Sequence, residues 1–277
     1  MLSRPPVQSE IAVLCPLITP GSVVVDVGSN QGNFFLSFLD HGCSVISVEP
    51  NLRNVFYQRA RFADFISAKR LTIYHHGCSD SAEQATLRIN DDFQGSISSF
   101  DERWPDSFPG CFSHGLKESH QLVLLRELLA PHVPDLKGRF ALLKVDTEGF
   151  DLKVLRGYFT ETSELPLPEF VMSEIHTSSV GEAQAQESVR LLSAQGFDRF
   201  RLFVRHGSRV LADSPWLTEQ QLLNFQLTSL NAELFGCGRG VRHGNLFATT
   251  SLNLAEALNR KYASADLAVP HFATGAC

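Results

Sequence analysis

Charged side chains cluster at the end of one strongly apolar segment, where they could hold a ligand or move a proton. Lys144, Asp146 and Glu148 alternate along the stretch that begins with Phe140-Ala-Leu-Leu. Alternate residues of a strand share one face, so the three charges would lie on the same side while the strand lasts. Charges on a buried strand are costly unless they are paired or used. We therefore interpret these three residues as functional, the alternative being a salt-bridged strand end.

A second polar pair ends another apolar segment, which reads Ser173-Glu-Ile-His. Glu174 and His176 would again share one face of a strand. With Asp146 and Glu148 they could bind a divalent metal through carboxylates and imidazole, or act as an acid–base set without metal. We favour the metal-free set and predict no metal site. An ordinary structural histidine remains the alternative for His176.

A glycine-containing turn follows the first apolar run, in the sequence Asp26-Val-Gly28-Ser-Asn30-Gln-Gly32-Asn33. Glycines at a strand-to-helix turn let a ligand approach the backbone, and this edge of a doubly wound sheet is where ligands bind. The pyrophosphate fingerprint Gly-x-Gly-x-x-Gly is absent, because Asn30 and Asn33 stand where its second and third glycines would be. Asp26 would repel a pyrophosphate, but it could attract a cationic ammonium, directly or through water.

One carboxylate, Glu49, ends the next apolar run, 21 residues after Gly28. An acidic side chain at this position can accept hydrogen bonds from a ribose diol, the alternative being a solvated loop carboxylate. The acidic turn, the few glycines and the ribose carboxylate together favour S-adenosylmethionine over a nicotinamide dinucleotide as cofactor.

The apolar runs and turn signals around these residues predict an α/β fold. It is a Rossmann-like doubly wound sheet, mostly parallel with a terminal antiparallel strand. The predicted strands cover 22–27, 44–48, 71–74, 84–90, 140–145, 169–175 and an antiparallel pair at 197–204 and 244–250. The predicted helices cover 9–17, 33–41, 51–68, 119–129, 150–158, 181–195 and 218–234.

The same pattern divides the chain into a lead-in at 1–20, one domain at 21–250, and a C-terminal helix and tail at 251–277. The segment 91–117 is long for a loop in a compact domain, and such loops are often functional. We predict that it is a lid over the acceptor, the alternative being an insertion packed on the sheet edge. Residues 205–242 are predicted to be a second insertion. The aromatic residues of the candidate lid are Phe93, Phe100, Trp104, Phe108 and Phe112.

The composition and net charge of the chain limit the kinds of protein it can be and the kinds of molecule it is expected to bind. The chain has 277 residues, 43% of them hydrophobic, which excludes a disordered protein. Its net charge of -6 and the absence of a basic segment argue against a nucleic-acid partner. We also expect no membrane span, because no apolar run is long enough to cross a bilayer. Because no Cys-x-x-Cys pair occurs, we expect reduced thiols and a cytoplasmic location.

Taken together, the motifs resemble the FkbM family of class I methyltransferases over about residues 23 to 176. The order and spacing of the motifs are jointly specific, and Lys-Val-Asp-Thr-Glu-Gly is the most specific of them. The residues that carry the resemblance are Asp26 to Gly32, Glu49 to Asn51, Ser79-Asp80, Lys144 to Gly157 and Glu174 to His176.

The resemblance implies a seven-stranded sheet that binds S-adenosylmethionine and transfers its methyl group to a hydroxyl oxygen. It implies an acceptor that is a small metabolite or a saccharide, and it leaves a homodimer open. By matching positions, the cofactor-binding residues would be Asp26, Gly28, Asn30, Gly32 and Asn33 in the first turn, Glu49 and Asn51 at the ribose, Asp80 near the adenine amine, and Asp146 near the methyl group.

For catalysis, the resemblance implies alignment of the acceptor with the methyl group, helped by a base because an alcohol is a weak nucleophile. The candidates are Asp146, Glu148, Glu174 and His176, of which we favour Asp146 or His176, with Lys144 orienting the hydroxyl. The alternatives are a non-catalytic protein that binds a nucleoside cofactor and a nicotinamide-dependent oxidoreductase. An RNA methyltransferase is disfavoured by the acidic charge balance.

Overall fold

A central eight-stranded sheet organises the chain, as seen in a computed structural model that describes residues 9–90, 96–107, 110–159, 165–176, 182–206, 209–229 and 243–265. The strands are β1 Val23–Val27, β2 Ser44–Val48, β3 Leu71–Tyr74, β4 Cys78–Ser79, β5 Gln84–Arg88, β6 Lys117–Gln121, β7 Val123–Leu124, β8 Phe140–Val145, β9 Phe170–His176, β10 Arg199–His206, β11 Arg209–Asp213 and β12 His243–Thr249.

Eleven α-helices flank the strands within the described residues. They are α1 Ser9–Leu14, α2 Asn33–Asp40, α3 Leu52–Arg61, α4 Ala63–Ser67, α5 Trp104–Ser107, α6 Leu125–Leu129, α7 Val133–Leu136, α8 Asp151–Tyr158, α9 Glu182–Ala194, α10 Glu219–Ser229 and α11 Ser251–Ala265. Short 3₁₀ turns occur at Cys15–Leu17 and Ala130–His132. Among the described residues, no helix is long and apolar enough to cross a membrane.

The strand order of the central sheet is β11-β10-β12-β9-β8-β1-β2-β3. The five consecutive strands β9, β8, β1, β2 and β3 are parallel to one another. β12 runs antiparallel between β9 and β10, and β11 adds an antiparallel edge. The predicted doubly wound, mostly parallel sheet with an antiparallel strand is therefore confirmed. β11 lies in the segment 205–242 and makes the sheet one strand wider than the seven that the resemblance implied.

Burial on both faces explains why β1 is an unbroken apolar run apart from Asp26. All five of its residues are buried. Val23, Val25 and Val27 pack into the core under α6, α8, α9 and α10. Val24 packs into the opposite core under α1, α2 and α11. A parallel strand covered by helices on both faces has no solvated side, which is why polar residues are absent until its end.

Most predicted elements agree with the structure to within a few residues, and 44–48, 71–74 and 140–145 agree at both ends. The predicted helix 51–68 is interrupted at Phe62, whose φ of -113° and ψ of 25° are not helical, so it forms α3 and α4.

The predicted helix 119–129 is wrong for its first half. Lys117–Gln121 instead forms β6, which pairs antiparallel with β5 in a separate two-stranded sheet, and the helix begins only at Leu125. A short polar segment has little helix preference of its own, so the backbone hydrogen bonds to β5 decide its conformation.

The candidate lid is the excursion between β5 and β6, of which 96–107 and 110–116 are described. Ser99 bridges back to Arg88, and Trp104 is only 1% exposed, so this part of the chain packs on the domain. Phe93 and Phe108 lie outside the described residues. Parts of the predicted lead-in, the second insertion and the tail also lie outside them, at 1–8, 207–208, 230–242 and 266–277.

A close backbone approach at Gly157 sets how α8 packs on β4. A Cβ atom at Gly157 would lie 2.0 Å from the carbonyl oxygen of Ser79. We expect Gly157→Ala to lower the free energy of unfolding by about 1–3 kcal/mol, because the overpacked helix must move away from the strand. Urea unfolding followed by tryptophan fluorescence measures this change.

The matched control is Lys153→Ala on the same helix. Its side chain is 41% exposed, and its ammonium pairs with Glu83 at 3.2 Å, so its removal should change stability by less than about 1 kcal/mol. A Gly157→Ala protein as stable as the wild type would show that α8 can shift without cost.

Candidate active site

The ends of the parallel strands meet at one edge of the sheet and open into a cavity of about 350 Å³. β1 lies where the strand order reverses, with β2 on one side and β8 on the other. In open α/β sheets this switch point is the usual ligand crevice. The polar lining residues from the strand ends and turns include Gly28, Ser29, Asn30, Gln31, Asn33, Glu49, Lys144, Asp146, Thr147, Glu148 and Glu174.

Lys144 connects the ends of β1 and β8. Its Nζ lies 2.9 Å from Oδ1 of Asp26 and 3.4 Å from Oδ2 of Asp146, and it donates to the carbonyl oxygen of Gly28 at 3.0 Å. Asp26 and Lys144 are register partners on adjacent strands, so they meet on one face of the sheet. The ammonium also lies 5.4 Å from the ring centroid of Phe34. Lys144 thus joins the glycine turn to the acidic segment after β8.

Burial by itself would lower the pKa of Lys144, but the carboxylates of Asp146 and Asp26 raise it overall. The lysine is therefore held as a cation inside the domain. Asp26 is fully buried and is not among the residues that line the cavity. Its charge faces Lys144, so any effect of Asp26 on a ligand passes through that pair.

The turn after β1 is fitted closely onto Asp146. Gly28 has a φ of +74°, and a Cβ atom there would lie 1.8 Å from the carbonyl oxygen of Asp146. Asn30 also adopts a positive φ, of 50°. A glycine is required at position 28 both by its backbone angle and by the lack of space. At Gly32, a Cβ atom would meet the rings of Phe35 and Phe62 rather than the cavity.

Glu49 is a buried carboxylate that faces the cavity from the end of β2. Its Oε2 accepts a hydrogen bond from the backbone N–H of Asn30 at 2.7 Å, and its Oε1 accepts one from that of Asn51 at 2.9 Å. Burial raises its pKa to about 7 against the opposing effect of hydrogen bonds from Asn51, Asn30 and Asn54. Each carboxylate oxygen has a second lone pair, so Glu49 can accept further hydrogen bonds.

Two polar residues of α3 support this region and were missed in the sequence. Asn54 lines the cavity, is 2% exposed, and its Oδ1 has no hydrogen-bond partner among the described residues. Gln58 is fully buried and bonds to the hydroxyls of Ser29 and Ser47, at 2.9 and 2.7 Å. Two amide side chains four positions apart on one face of the predicted helix were the signal in the sequence that could have found them.

Asp146, Glu148 and Glu174 converge, each offering one carboxylate oxygen within 4.8 Å of the others. Burial, and then the neighbouring carboxylates, raise the pKa of Glu148 and of Glu174 well above the usual range. Glu148 has a φ of +55°, and its carbonyl oxygen accepts a hydrogen bond from Ser99 of the excursion at 2.6 Å. Carboxyl groups with raised pKa values can accept a proton near neutral pH, and three such oxygens can also bind a cation.

Of the remaining predicted site residues, Asn33 is in the cavity lining, whereas Asn51 and Asp80 are not. The Oδ1 atom of Asn33 accepts a hydrogen bond from Arg61 at 2.6 Å. Asn51 is absent from the lining and caps α3 by accepting from the N–H of Arg53. Asp80 is likewise absent from the lining and lies 3.9 Å from Arg156. The side chain of His176 lies outside the described residues, so its role stays a prediction.

The far wall of the cavity is built from segments that sequence analysis left without a role. Glu10 of α1 accepts a hydrogen bond from Nδ2 of Asn245 of β12 at 2.9 Å, and both side chains are buried and line the cavity. Met172 and Phe34 add apolar surface beside them. The excursion contributes Ser96, Ile97, Ser98 and Phe100 to the opposite side.

The fold and the site define a doubly wound α/β protein with an acidic ligand cavity at its switch point. A family model described as the Methyltransferase FkbM domain matches residues 26–206. Since the match spans more than half of the chain, the protein belongs to the FkbM methyltransferase family. No curated protein matches the sequence at a significant level.

Solved structures with similar folds include three methyltransferases. An FkbM methyltransferase from Methylobacillus flagellatus is 13% identical, with a TM-score of 0.41, covering 82% of this chain and 43% of that one. A SAM-dependent methyltransferase from Geobacter sulfurreducens in complex with S-adenosyl-L-homocysteine is 12% identical, with a TM-score of 0.43 and coverages of 90% and 93%. A SAM-dependent O-methyltransferase from Thermotoga maritima is 11% identical, with a TM-score of 0.40 and coverages of 87% and 64%.

The buried position of Lys144 makes its removal costly. We expect Lys144→Met to lower the free energy of unfolding by about 3–5 kcal/mol, because Asp26 would remain buried without its cation. The double variant Asp26→Asn, Lys144→Met should recover much of this loss, because no unpaired charge is left on β1. Urea unfolding of the wild type and both variants gives the three values. A single variant that loses less than about 1 kcal/mol would contradict the proposed pairing.

Proposed function

We propose that this protein is an S-adenosylmethionine-dependent O-methyltransferase acting on a hydroxyl group of a small metabolite or a saccharide. One observation carries the proposal. A single cavity of about 350 Å³ contains both the buried carboxylate of Glu49 and the carboxyl group cluster of Asp146, Glu148 and Glu174. Glu49 suits a ribose diol, and the cluster suits removal of a proton from an alcohol.

The cofactor end of the cavity fits a nucleoside. Glu49 is fixed by two backbone N–H donors and keeps lone pairs for two ribose hydroxyls. The unpartnered Oδ1 of Asn54 supplies a further acceptor beside it. Gly28 adopts a positive φ and has no side chain, so the turn can lie directly against Asp146. When bound, S-adenosylmethionine supplies a methyl group that is already activated on a sulfonium.

The opposite end of the cavity would orient and deprotonate the acceptor. The Nζ atom of Lys144 lies 3.4 Å from Oδ2 of Asp146, and this ion pair fixes the direction of the Asp146 carboxylate. Burial and the neighbouring Asp146 carboxylate raise the pKa of Glu174, so Glu174 holds its proton more tightly than an ordinary carboxyl group does. We propose that Asp146, with Glu148 and Glu174 sharing the proton, would accept the proton of the acceptor hydroxyl. The O–C bond that forms would replace the methyl–sulfur bond of the sulfonium, which would leave as a neutral thioether.

The acceptor itself would lie against the far wall. Glu10 and Asn245 provide buried polar groups there, and Met172 and Phe34 provide apolar surface. A polar and apolar wall of this kind suits a hydroxylated metabolite or sugar ring. RNA is the alternative acceptor, which the acidic net charge disfavours, and the methyl-transfer experiment includes it.

Cofactor affinity should depend on the ionisation of Glu49. With a pKa of about 7, the carboxylate becomes ionised between pH 6 and pH 8, and only the ionised form accepts hydrogen bonds at both oxygens. We expect S-adenosylmethionine to bind about tenfold more tightly at pH 8 than at pH 6, measured by calorimetric titration.

The Glu49→Gln variant provides the control, since any remaining pH dependence then belongs to the cofactor or to other groups. The Glu49→Gln protein should bind S-adenosylmethionine weakly, and its affinity should no longer differ tenfold between pH 6 and pH 8. Binding of NAD in place of S-adenosylmethionine would overturn the cofactor proposal. Equal affinity in the wild type and in Glu49→Gln would remove the ribose role.

Transfer of a radiolabelled methyl group to a panel of hydroxylated metabolites, saccharides and RNA tests the reaction. Asp146→Asn should slow transfer by about 10²–10⁴-fold while cofactor affinity stays within a few-fold, because the base is lost and the ribose contacts remain. The wild-type rate should rise with pH above the usual carboxylate range, as the raised pKa values of Glu148 and Glu174 require.

The exposed Glu187→Gln variant on α9 is the matched control, because Glu187 lies outside the cavity. It should retain the wild-type rate. Cofactor binding without transfer to any acceptor class would favour the non-catalytic alternative. Transfer to RNA alone would replace the small-molecule acceptor with a nucleic acid.

A further inference from the structure

Two histidines and a glutamate form a cluster beside the cofactor cavity but outside its lining. His75 follows β3, and Glu118 and His120 lie on β6. Glu118 and His120 are two residues apart on β6, so both of their side chains point to the same face of that strand. Because β3 and β6 belong to different sheets, only the tertiary fold brings the three together.

The donor atoms of the cluster are already close. One ligand atom from each residue lies within 4.8 Å of the other two. Nε2 of His120 is 3.3 Å from Oε2 of Glu118, and the rings of His75 and His120 meet edge to face with centroids 5.5 Å apart. Ligand atoms around a tetrahedral zinc ion lie roughly 3.4 Å apart, so small side-chain rotations would bring all three into range.

Neighbouring backbone groups hold the ligands in orientation. Nε2 of His75 lies 2.8 Å from the carbonyl oxygen of Pro50, so an N–H donated there leaves Nδ1 as the free lone pair. Oε2 of Glu118 accepts from the backbone N–H of Leu52 at 3.4 Å. A histidine whose other nitrogen donates to a carbonyl is the usual arrangement of a metal ligand. Glu118 is 29% exposed, which leaves a path for an ion.

We propose that His75, Glu118 and His120 form a zinc-binding site distinct from the methyl-transfer site. Two imidazoles and one carboxylate suit Zn²⁺, with water completing four-coordination. Other cations could use the same donors, but hard ions such as Mg²⁺ prefer all-oxygen sites.

The ion would fasten the excursion to the cofactor wall. β6 is the strand by which the excursion returns to the domain, and Phe100 of the excursion packs on the ring of His120 with centroids 5.6 Å apart. On the other side, His75 contacts Pro50, which follows the ribose residue Glu49, and the adjacent His76 lines the cavity. Bound zinc would therefore stabilise the folded chain through elements on both sides of the cavity.

Calorimetric titration of chelator-stripped, reduced full-length protein with Zn²⁺ alone tests the proposal. We expect one equivalent to bind with micromolar or tighter affinity and to raise the Tm. Glu118→Gln and His75→Gln should each weaken binding by at least about tenfold and remove the rise in Tm. Glu118 is partly exposed, so its variant should fold even if a histidine variant does not.

Two controls separate this site from other zinc ligands. His114→Gln changes an exposed histidine of the same excursion, and Cys111→Ser removes the thiol of a free cysteine there. Both variants should bind zinc as the wild type does. Failure of the wild type to bind one equivalent, or wild-type affinity in Glu118→Gln, would overturn the proposal. Zinc binding is measured without S-adenosylmethionine, so its outcome is independent of the proposed methyl transfer.

Discussion

A buried lysine between two carboxylates is the interaction on which the cavity depends. Lys144 on β8 faces Asp26 on β1, and it also reaches the carbonyl of Gly28 and the carboxylate of Asp146. Charges this far from water persist only when they are paired, and here the pair lies where the two central strands end. It therefore fixes the glycine turn relative to the acidic segment that follows β8. Every other group in the cavity is placed relative to these two strand ends.

The remaining chemistry follows from low exposure and an excess of carboxyl groups around that single cation. Burial raises the pKa of Glu49, and burial together with neighbouring carboxylates raises the pKa values of Glu148 and Glu174. Each of these groups therefore keeps its proton to a higher pH than an ordinary carboxyl group does. The parallel sheet produces this concentration of acids because the ends of its strands meet at one edge. The helices on both faces then keep water from the inner side of the site.

The excursion between β5 and β6 shows how local preference yields to pairing. The helix predicted from residue 119 is replaced by a strand that contains Glu118 and His120, because β5 offers backbone partners to a segment with little helix preference of its own. That pairing returns the chain past the cavity, where Phe100 joins the lining and Ser99 donates a hydrogen bond to the carbonyl oxygen of Glu148. It also brings His120 next to His75, which no spacing in the sequence indicates. The same pairing thus shapes one wall of the cavity and assembles the histidine cluster.

The sequence by itself determined the parallel strands of the central sheet, where they end and the residues placed there, but not the edge strand β11. Apolar runs such as β1 and β8 are local signals, and a polar residue ending each run marks the ligand edge, as for Glu49 and Asp146. Tertiary structure alone decided which side chains face the cavity. It turned Asp26 toward Lys144, and it brought Glu10 and Asn245 together across 235 positions of sequence. A strand pattern specifies which face a residue lies on, but contacts between distant segments depend on how the layers pack.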